Sequence, residues 1–156
     1  MNFHLGEVVI RDADQNDIDT LKTFEQGVIE VERPFSPTLK AETTYYDLPA
    51  MMDDNGVKLL VAEWDNKIIG SGYGRIETSM HYLTHSHHAY LGFMYVLPEF
   101  RGKGVNGKLI ESLKQWAQSK GIMEMRLEVY SDNLPAIRAY EKFGFSKLSI
   151  EMRCSI

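Results

Sequence analysis

A glycine-rich stretch from Arg101 to Lys108 has the clearest chemical pattern in the sequence, Arg-Gly-Lys-Gly-Val-Asn-Gly-Lys. It follows an apolar run, Ala89–Val96, and leads into an amphipathic stretch. Glycines adopt backbone dihedrals that other residues avoid, so successive N–H groups can point toward one place. The first turn of a helix adds a partial positive charge at the same place. The stretch therefore predicts a site that binds phosphate groups.

Two general nucleotide-binding motifs fit the same stretch in part. The glycines within residues 102–107 satisfy the dinucleotide pattern G-x-G-x-x-G, and Glu128 follows about 20 residues later, where a ribose-binding acid would stand. However, the first glycine is too far from the preceding strand for the tight turn of that motif, and too little chain follows for a dinucleotide fold. The stretch also nearly matches the phosphate loop of nucleoside triphosphatases, but Leu109 replaces the magnesium-binding hydroxyl.

A third pattern, [QR]-x-x-G-x-[GA] after a strand that ends in Val-x-Pro, covers residues 96–106. With this pattern the region resembles the acyl-CoA pyrophosphate loop of the GNAT N-acetyltransferase superfamily. One position departs from the family, since Asn106 stands where glycine or alanine is usual. A second segment, Asn133–Phe145, is similar to the family's N-x-x-A-x-x-x-Y-x-x-x-G-F motif. Because the two motifs are independent and correctly ordered, they favour this family over both nucleotide motifs.

The resemblance implies a fold and an activity. The fold is α+β, the GNAT acyl-CoA N-acyltransferase fold, in which a mixed, mostly antiparallel sheet is flanked by about four helices. We expect one such domain over residues 1–156. The implied activity is transfer of an acetyl group from acetyl-CoA to a primary amine, by direct attack in a ternary complex and without a metal. A non-catalytic acyl-CoA-binding or sensing domain is the alternative, motivated by Asn106 and by the missing glutamate on the central strand.

The resemblance also implies roles for individual residues. The implied cofactor-binding residues are Met94, Val96, Arg101, Gly102, Lys103, Gly104, Val105, Asn106 and Asn133. In relatives a bulge late in the central strand frees an N–H for the acetyl carbonyl, and by position that bulge falls near Val96. Tyr140 matches the tyrosine that protonates the departing CoA sulfur, a task that suits a phenol with a pKa near 10. A purely structural aromatic on a helix face is the alternative for Tyr140.

No sequence motif singles out one residue as the general base. Relatives often place a glutamate on the central strand, where this chain has Tyr90 and Gly92. The candidate substitutes are Glu77, Glu128, His87 and His88. The histidines between His81 and His88 have no carboxylate or cysteine at ligand spacing within their polar stretch, so we predict no metal site there.

Charge is unevenly distributed along the chain. Residues 1–56 include 12 acidic and 4 basic residues, whereas residues 101–156 include 6 acidic and 10 basic ones. An acidic N-terminal part favours a cationic acceptor, such as a polyamine, an aminoglycoside, a lysine side chain or a peptide amine. The acidic candidates are Glu30, Glu32, Asp53 and Asp54, and the candidates for an apolar wall are Phe35, Tyr45 and Tyr46.

Hydrophobic periodicity predicts the elements that position these residues. The predicted strands are Glu7–Arg11, Val57–Trp64, Lys67–Ile76, Ala89–Val96, Met123–Tyr130 and Phe145–Met152. The predicted helices are Ile18–Val28, Thr38–Met52, Lys103–Lys120 and Pro135–Phe143. Asp65-Asn66 predicts a hairpin turn. Glycines at every second position from Gly70 to Gly74 predict that another element or a ligand approaches one face closely.

Composition restricts the class of protein. The chain of 156 residues is 44% hydrophobic and 25% charged, as expected of a folded globular domain. A net charge of -5 argues against a general nucleic-acid binder. The lone Cys154 suits a reducing compartment, and no apolar run approaches the ~18 residues of a membrane span. We therefore expect a cytoplasmic protein without nucleic-acid or membrane partners, and the resemblance allows a monomer or a homodimer.

Overall fold

The computed structural model describes all 156 residues and contains one five-stranded sheet. Its strands are β1 (Val9–Asp12), β2 (Val57–Trp64), β3 (Lys67–Thr78), β4 (His87–Val96) and β5 (Met125–Leu127). Its helices are α1 (Ile18–Glu32), α2 (Leu48–Asp53), α3 (Val105–Ser119) and α4 (Leu134–Phe143). None of them is long and apolar enough to cross a membrane.

The order of strands in the sheet follows their order in the chain. Strands β1 to β4 pair antiparallel, and β5 pairs parallel to β4. A core of α3 side chains packs on one face of the sheet, and α1 and α2 pack on the other. The mixed, mostly antiparallel sheet with four helices confirms the predicted fold class. It also excludes a dinucleotide fold, which requires a parallel sheet.

The hairpin between β2 and β3 forms where it was predicted. Asp65 and Asn66 have φ values of 50° and 59°, in the left-handed region that both central residues of a type I′ turn require. Asp and Asn tolerate this region better than most residues, so the dipeptide determines the turn.

The alternating glycines of β3 allow a close approach, as predicted. A Cβ atom on Gly72 would lie 2.7 Å from Met94 Sδ, and one on Gly74 would lie 2.8 Å from the Trp116 ring. Trp116 belongs to α3, whose apolar stripe also includes the fully buried Leu109 and Leu113. The glycines therefore let α3 and Met94 lie directly against the sheet.

An ion-pair network joins the first strand to the first helix. Asp17, which is buried at the start of α1, accepts hydrogen bonds from the Arg11 guanidinium at 2.8 and 3.0 Å. Arg11 also donates to Glu63 on β2 at 2.9 Å. The guanidinium holds the pKa of Asp17 below its usual range, because it stabilises the charged carboxylate. This network fixes the position of α1 on the sheet.

The predicted helix Thr38–Met52 was wrong over most of its length, since only α2 forms. Tertiary contacts take the backbone groups that a helix would have used. The Arg33 guanidinium donates to the carbonyls of Lys40 and Ala41, at 2.9 and 2.7 Å. The helix starts only where the Asp47 side chain accepts from the Ala50 N–H at 3.2 Å.

Two predicted strands also differ from the structure. Met123–Tyr130 was too long, because β5 pairs with β4 only through Met125–Leu127. Phe145–Met152 forms no strand, and no backbone hydrogen bond involves a residue beyond Phe145. A strand requires backbone hydrogen bonds to a neighbouring strand, and this segment makes none.

Candidate active site

The central strand contains a bulge at Phe93 and Met94. Ser71 of β3 pairs with Tyr95 and Tyr73 pairs with Gly92, so two residues of β4 lie opposite Gly72 alone. Phe93 has a φ of 54°, an unusual value for a large side chain. A bulge interrupts the hydrogen-bond ladder and exposes backbone groups to other partners.

Two contacts explain why the bulge lies here and not near Val96, where it was expected. The Phe93 ring is buried and stacks on Tyr46, with the ring centroids 4.6 Å apart. The Ser71 hydroxyl donates to the Phe93 carbonyl at 3.0 Å. Val96 pairs regularly with Gly70. The expected position of the bulge, near Val96, was therefore wrong by two to three residues. The contacts that place the bulge come from other elements and cannot be read from the sequence of β4 itself.

The strands β4 and β5 separate just before the bulge. Their pairing ends at Leu91 and Leu127, although β4 continues to Val96. An opening between two parallel strands gives a ligand access to the middle of the sheet. The bulge lies near the end of β4, and the glycine loop follows that end.

The loop that follows β4 has many unused hydrogen-bond donors. Gly102 and Gly104 have φ values of 73° and 90°, as expected from the glycine pattern. The backbone N–H groups of residues 102–106 donate to no acceptor within the chain. They lie at the start of α3, a helix of 15 residues without a side-chain cap. Free donors at the positive end of a helix can bind an anionic group.

The basic residues of the loop have distinct positions. Arg101 is exposed, donates to the Val96 carbonyl at 2.8 Å and lies over the Tyr95 ring. Lys103 is also exposed, with its amine 5.6 Å from the centroid of the Phe3 ring. Lys108 instead donates to the carbonyls of Leu5 and Val8. Because Lys108 is held by the N-terminal segment, it is not free to act as a triphosphate-binding lysine.

Asn106 and Asn133, both predicted to contact a cofactor, differ in how their side chains are used. The Asn106 Oδ1 atom is buried and has no hydrogen-bond partner. Asn133 caps α4, since its Oδ1 accepts from the Ala136 N–H at 3.4 Å. Both residues lie at helix starts, but only Asn106 has an unsatisfied buried oxygen.

Tyr140 lies on α4 with its ring against the main core and 5.9 Å from that of Phe145. Its hydroxyl makes no hydrogen bond within the chain. Burial raises the pKa of Tyr140 to about 12, and the negative charge of Glu32 adds to the effect. The phenol therefore keeps its proton throughout the neutral range and can donate it.

Glu32, the last residue of α1, faces a group of phenols on the sheet face that α1 and α2 cover. Burial raises the pKa of its carboxyl, and the Tyr45 hydroxyl partly opposes this shift. Burial and the charge of Glu32 raise the pKa of Tyr45 in turn. The electrostatic effect of Glu32 reaches Tyr140 as well. A carboxylate with a raised pKa can accept a proton or bind a cation.

Aromatic rings form the wall beside Glu32. Phe35 stacks on Tyr130, with the centroids 6.0 Å apart, and Tyr46 contacts both Tyr45 and Phe93. The structure thus brings together Glu32, Phe35, Tyr45 and Tyr46, all predicted acceptor-site candidates. Glu32 was considered only as a source of negative charge, because nothing in the sequence shows that its charge reaches Tyr140.

The four predicted general-base candidates separate into two groups. Glu77 and His88 pair with each other at 3.4 Å, and His88 is also tied to Ser79. His88 lies about 16 Å along β4 from the bulge at Phe93, and His87 lies next to it. No group of three or more potential ligands is arranged to hold a metal ion.

Glu128 is the candidate base that lies near the opening. It is exposed beyond the end of β5, and its charge, together with burial, raises the pKa of Tyr90 to about 12. Arg126 shares this face, since it pairs in register with Tyr90. Glu128 and Glu32 therefore both act on phenols of this face, as Glu25 and Glu77 also do.

Comparisons with known proteins agree with this architecture. The Acetyltransferase (GNAT) family model matches residues 25–145. An N-alpha-acetyltransferase of Saccharolobus solfataricus is 29% identical over 149 residues, which cover 92% of this chain and 83% of that protein. A predicted acetyltransferase of Clostridium acetobutylicum, solved with acetyl-CoA, has a TM-score of 0.71 at 19% identity, over 95% of this chain and 96% of that one.

An aminoglycoside antibiotic 6'-N-acetyltransferase of Acinetobacter haemolyticus is similar as well. Its TM-score is 0.74 at 17% identity, over 95% of this chain and 97% of that one. The fold and the family match together define an acyltransferase. The chain belongs to the Acetyltransferase (GNAT) family, and its activity is acetyl-CoA-dependent N-acetyl transfer.

Proposed function

We propose that the protein binds acetyl-CoA through residues 101–106 and transfers the acetyl group to a primary amine that carries a positive charge. The amine attacks directly in a ternary complex. The observation that carries this proposal is the set of unused N–H donors at residues 102–106, beside the opening between β4 and β5.

The loop suits the pyrophosphate of acetyl-CoA. A Cβ on Gly102 would meet nothing within 4 Å, so the space in front of its backbone is open. The exposed guanidinium of Arg101 and amine of Lys103 add positive charge around the free donors. The pyrophosphate has only acceptor oxygens, so Asn106 would contribute its amide nitrogen, which is a donor, rather than its buried and unpaired Oδ1. Asparagine at this position is therefore compatible with the cofactor.

The pantetheine arm would enter between β4 and β5. Met94 and Val96 lie along that opening, and Asn133 keeps its amide nitrogen free while its oxygen caps α4. The backbone at Phe93–Met94 would be the donor for the acetyl carbonyl, because the bulge interrupts the ladder there. We therefore place the reacting carbonyl near Met94.

Acetyl-CoA supplies the thioester whose acyl carbon the amine attacks. A cationic amine must first lose one proton, and Glu32 is the carboxylate that we assign to accept it, directly or through water. The N–C bond then forms as the C–S bond breaks, with the electron pair of that bond leaving on sulfur. Tyr140 donates its phenolic proton to the departing thiolate, and the surplus proton of the new amide nitrogen passes through solvent to the Tyr140 phenolate.

The acceptor class follows from charge and aromatic surface. Glu32 and Glu128 both face the group of phenols, and the ring pair of Phe35 and Tyr130 provides a flat apolar wall. This environment favours an amine attached to further cationic or hydroxyl groups. Aminoglycosides, polyamines, lysine side chains and peptide amines satisfy this description.

A panel of acceptors tests the proposal. We would measure CoA release with acetyl-CoA and four amines, namely spermidine, a 2-deoxystreptamine aminoglycoside, a lysine peptide and, as the neutral acceptor, an amino-sugar with no charged group besides its reacting amine. We expect the cationic amines to be turned over with higher kcat/KM than the neutral one. Equal turnover of neutral and cationic amines would overturn the acceptor class, and selective thermal stabilisation by ATP or NADH, without stabilisation by acetyl-CoA, would overturn the loop assignment.

A further inference from the structure

The glycine loop, residues 101–106, keeps its conformation without using its own amide donors. The N–H groups of residues 102–106 donate to no acceptor within the chain, and Gly102 and Gly104 have left-handed φ values. Glycine loses more backbone freedom on ordering than any other residue. A loop that is ordered before its ligand arrives binds that ligand at a smaller entropic cost. We therefore looked for contacts from other parts of the chain that hold the loop.

An N-terminal segment, residues 3–8, packs along the glycine loop. A Cβ atom on Gly104 would lie 2.8 Å from Leu5 Cδ2, so the glycine backbone lies directly against the leucine side chain. The Lys103 amine lies 5.6 Å from the centroid of the Phe3 ring. Two neighbouring residues of the loop therefore contact two residues of the segment.

Aromatic packing anchors the segment to the sheet and to the start of the loop. The Phe3 ring lies 5.3 Å from the ring of Trp64, at the end of β2, and 5.4 Å from that of Phe100. Phe100 is buried in the main core and immediately precedes the loop. The Trp64 indole also donates to the Glu7 carboxylate at 3.2 Å. The segment is therefore fixed to the rest of the fold and can support the loop.

Lys108 joins the segment to the far end of the loop. Its backbone N–H donates to the Gly104 carbonyl at 3.1 Å, and its amine donates to the carbonyls of Leu5 and Val8. A lysine amine has three N–H donors, so one side chain can serve both carbonyls. Val8 is buried in the main core. The lysine thus ties the first turn of α3 to a fixed point.

We propose that residues 3–8 position the glycine loop for acetyl-CoA, with Leu5 and Lys108 as the positioning residues. This inference rests on the proposed function of the loop. Leu5 supports the backbone of Gly104, and Lys108 fixes the first turn of α3, whose N–H groups would hold the pyrophosphate. Neither side chain contacts the cofactor itself. Lys108 acts on the phosphate site only through the N-terminal segment.

Substitution of Lys108 tests this role. We would measure the Kd of CoA by calorimetry, and KM for acetyl-CoA and for the amine by CoA release. Lys108→Met removes the donors and keeps an unbranched side chain, and we expect it to raise the Kd of CoA by about fivefold, because the ligand must then order the loop. KM for acetyl-CoA should rise in parallel, and KM for the amine should stay nearly unchanged. An equal rise in both KM values would indicate a general effect on the fold and would overturn the proposal.

Matched variants complete the set. Lys114→Met makes the same change further along α3 and should leave the Kd of CoA unchanged. Leu5→Ala removes the methyl groups that lie against Gly104 and should raise the Kd of CoA as well. Leu5 is 38% exposed, so the chain should tolerate its truncation.

The double variant separates indirect action from direct contact. If Lys108 acts through the segment, Lys108→Met combined with Leu5→Ala should raise the Kd of CoA by less than the product of the two single effects. Fully multiplicative effects would show that Lys108 contacts the phosphates itself and would overturn the proposal. Unchanged CoA binding in both single variants would overturn it too. A wild-type chain that does not bind CoA would instead overturn the proposed function of the loop, and this inference with it.

Discussion

The buried carboxylate of Glu25 on α1 holds the backbone of Tyr46: its Oε2 atom lies 2.7 Å from the Tyr46 nitrogen. The same oxygen accepts from the Tyr45 N–H at 2.8 Å. Tyr46 in turn stacks on Phe93 at the bulge. One carboxylate therefore links the loop before α2 to the strand position where the reacting carbonyl is proposed to bind.

Loss of this carboxylate should disturb the acceptor side of the site. Glu25→Ala leaves two backbone N–H groups without their acceptor and should destabilise the fold by about 2 kcal/mol. We expect kcat/KM for the amine to fall severalfold while KM for acetyl-CoA changes little. Glu25→Gln keeps one acceptor oxygen, so its stability and its kcat/KM should lie between those of the wild type and Glu25→Ala. A severalfold rise in KM for acetyl-CoA as well would show that Glu25 acts on the whole fold and not on the loop before α2 alone.

The glycine loop offers a matched pair of substitutions. Gly102 and Gly121 have φ values of 73° and 76°, and a Cβ atom added to either glycine would meet no atom within 4 Å. Alanine at either position should cost about 1–2 kcal/mol of unfolding free energy, because of the left-handed backbone. Only Gly102→Ala should raise KM for acetyl-CoA, by about tenfold. A similar rise in Gly121→Ala would contradict a specific role of the loop.

The phenol of Tyr140 should matter for the rate and not for stability. Tyr140→Phe removes a hydroxyl that has no hydrogen bond within the chain, so thermal stability should stay nearly unchanged. We expect kcat to fall by about a hundredfold, the usual size of a general-acid contribution. Tyr82→Phe, on a side chain that is 70% exposed, serves as the control and should retain full activity. An unchanged kcat in Tyr140→Phe would show that Tyr140 is not the proton donor and contributes only to packing.

The proposed base predicts a pH dependence. Glu32 must be ionised to accept a proton, and burial raises its pKa above the ordinary glutamate value. The acid limb of kcat/KM for the amine should therefore lie at higher pH than 4.5, the ordinary glutamate value. Activity should rise as pH increases through this limb. Glu32→Gln should lower kcat/KM and abolish the limb; if the limb persists in Glu32→Gln, a Glu128→Gln profile identifies the second candidate.

The Arg11–Asp17 pair should make the free energy of unfolding depend on pH in the acidic range. The folded-state pKa of Asp17 lies below the ordinary value, so its contribution is present above about pH 4 and is lost as pH falls through the folded pKa. Asp17→Asn should cost about 2 kcal/mol at pH 7, and the difference from wild type should shrink in acid. Denaturant unfolding of both proteins at pH 7 and at acidic pH measures this difference in unfolding free energy. Asp19→Asn, at an exposed carboxylate in the same helix, should have an effect of a few tenths of a kcal/mol.

Features that depend on neighbouring residues were predictable from the sequence. The hairpin at Asp65-Asn66, the glycine stripe of β3 and the loop at residues 101–106 all depend on backbone dihedrals that these residue types favour. The apolar stripe of α3 is likewise a local periodicity. Two motifs with the correct order were enough to indicate the family. Local residue patterns therefore predicted the position of the glycine loop and, through the family resemblance, the fold class.

Features that depend on contacts between distant residues were decided by the tertiary structure alone. The bulge lies at Phe93 because Tyr46 and Ser71 hold it there, and the loop before α2 is not helical because side chains of α1 take its backbone groups. The charge of Glu32 reaches Tyr140 only because α1 packs on the sheet in the folded chain. The periodic C-terminal segment stays unpaired because strand formation requires a partner edge. Propensity acts over a few residues, whereas these outcomes depend on which surfaces meet after the chain has folded.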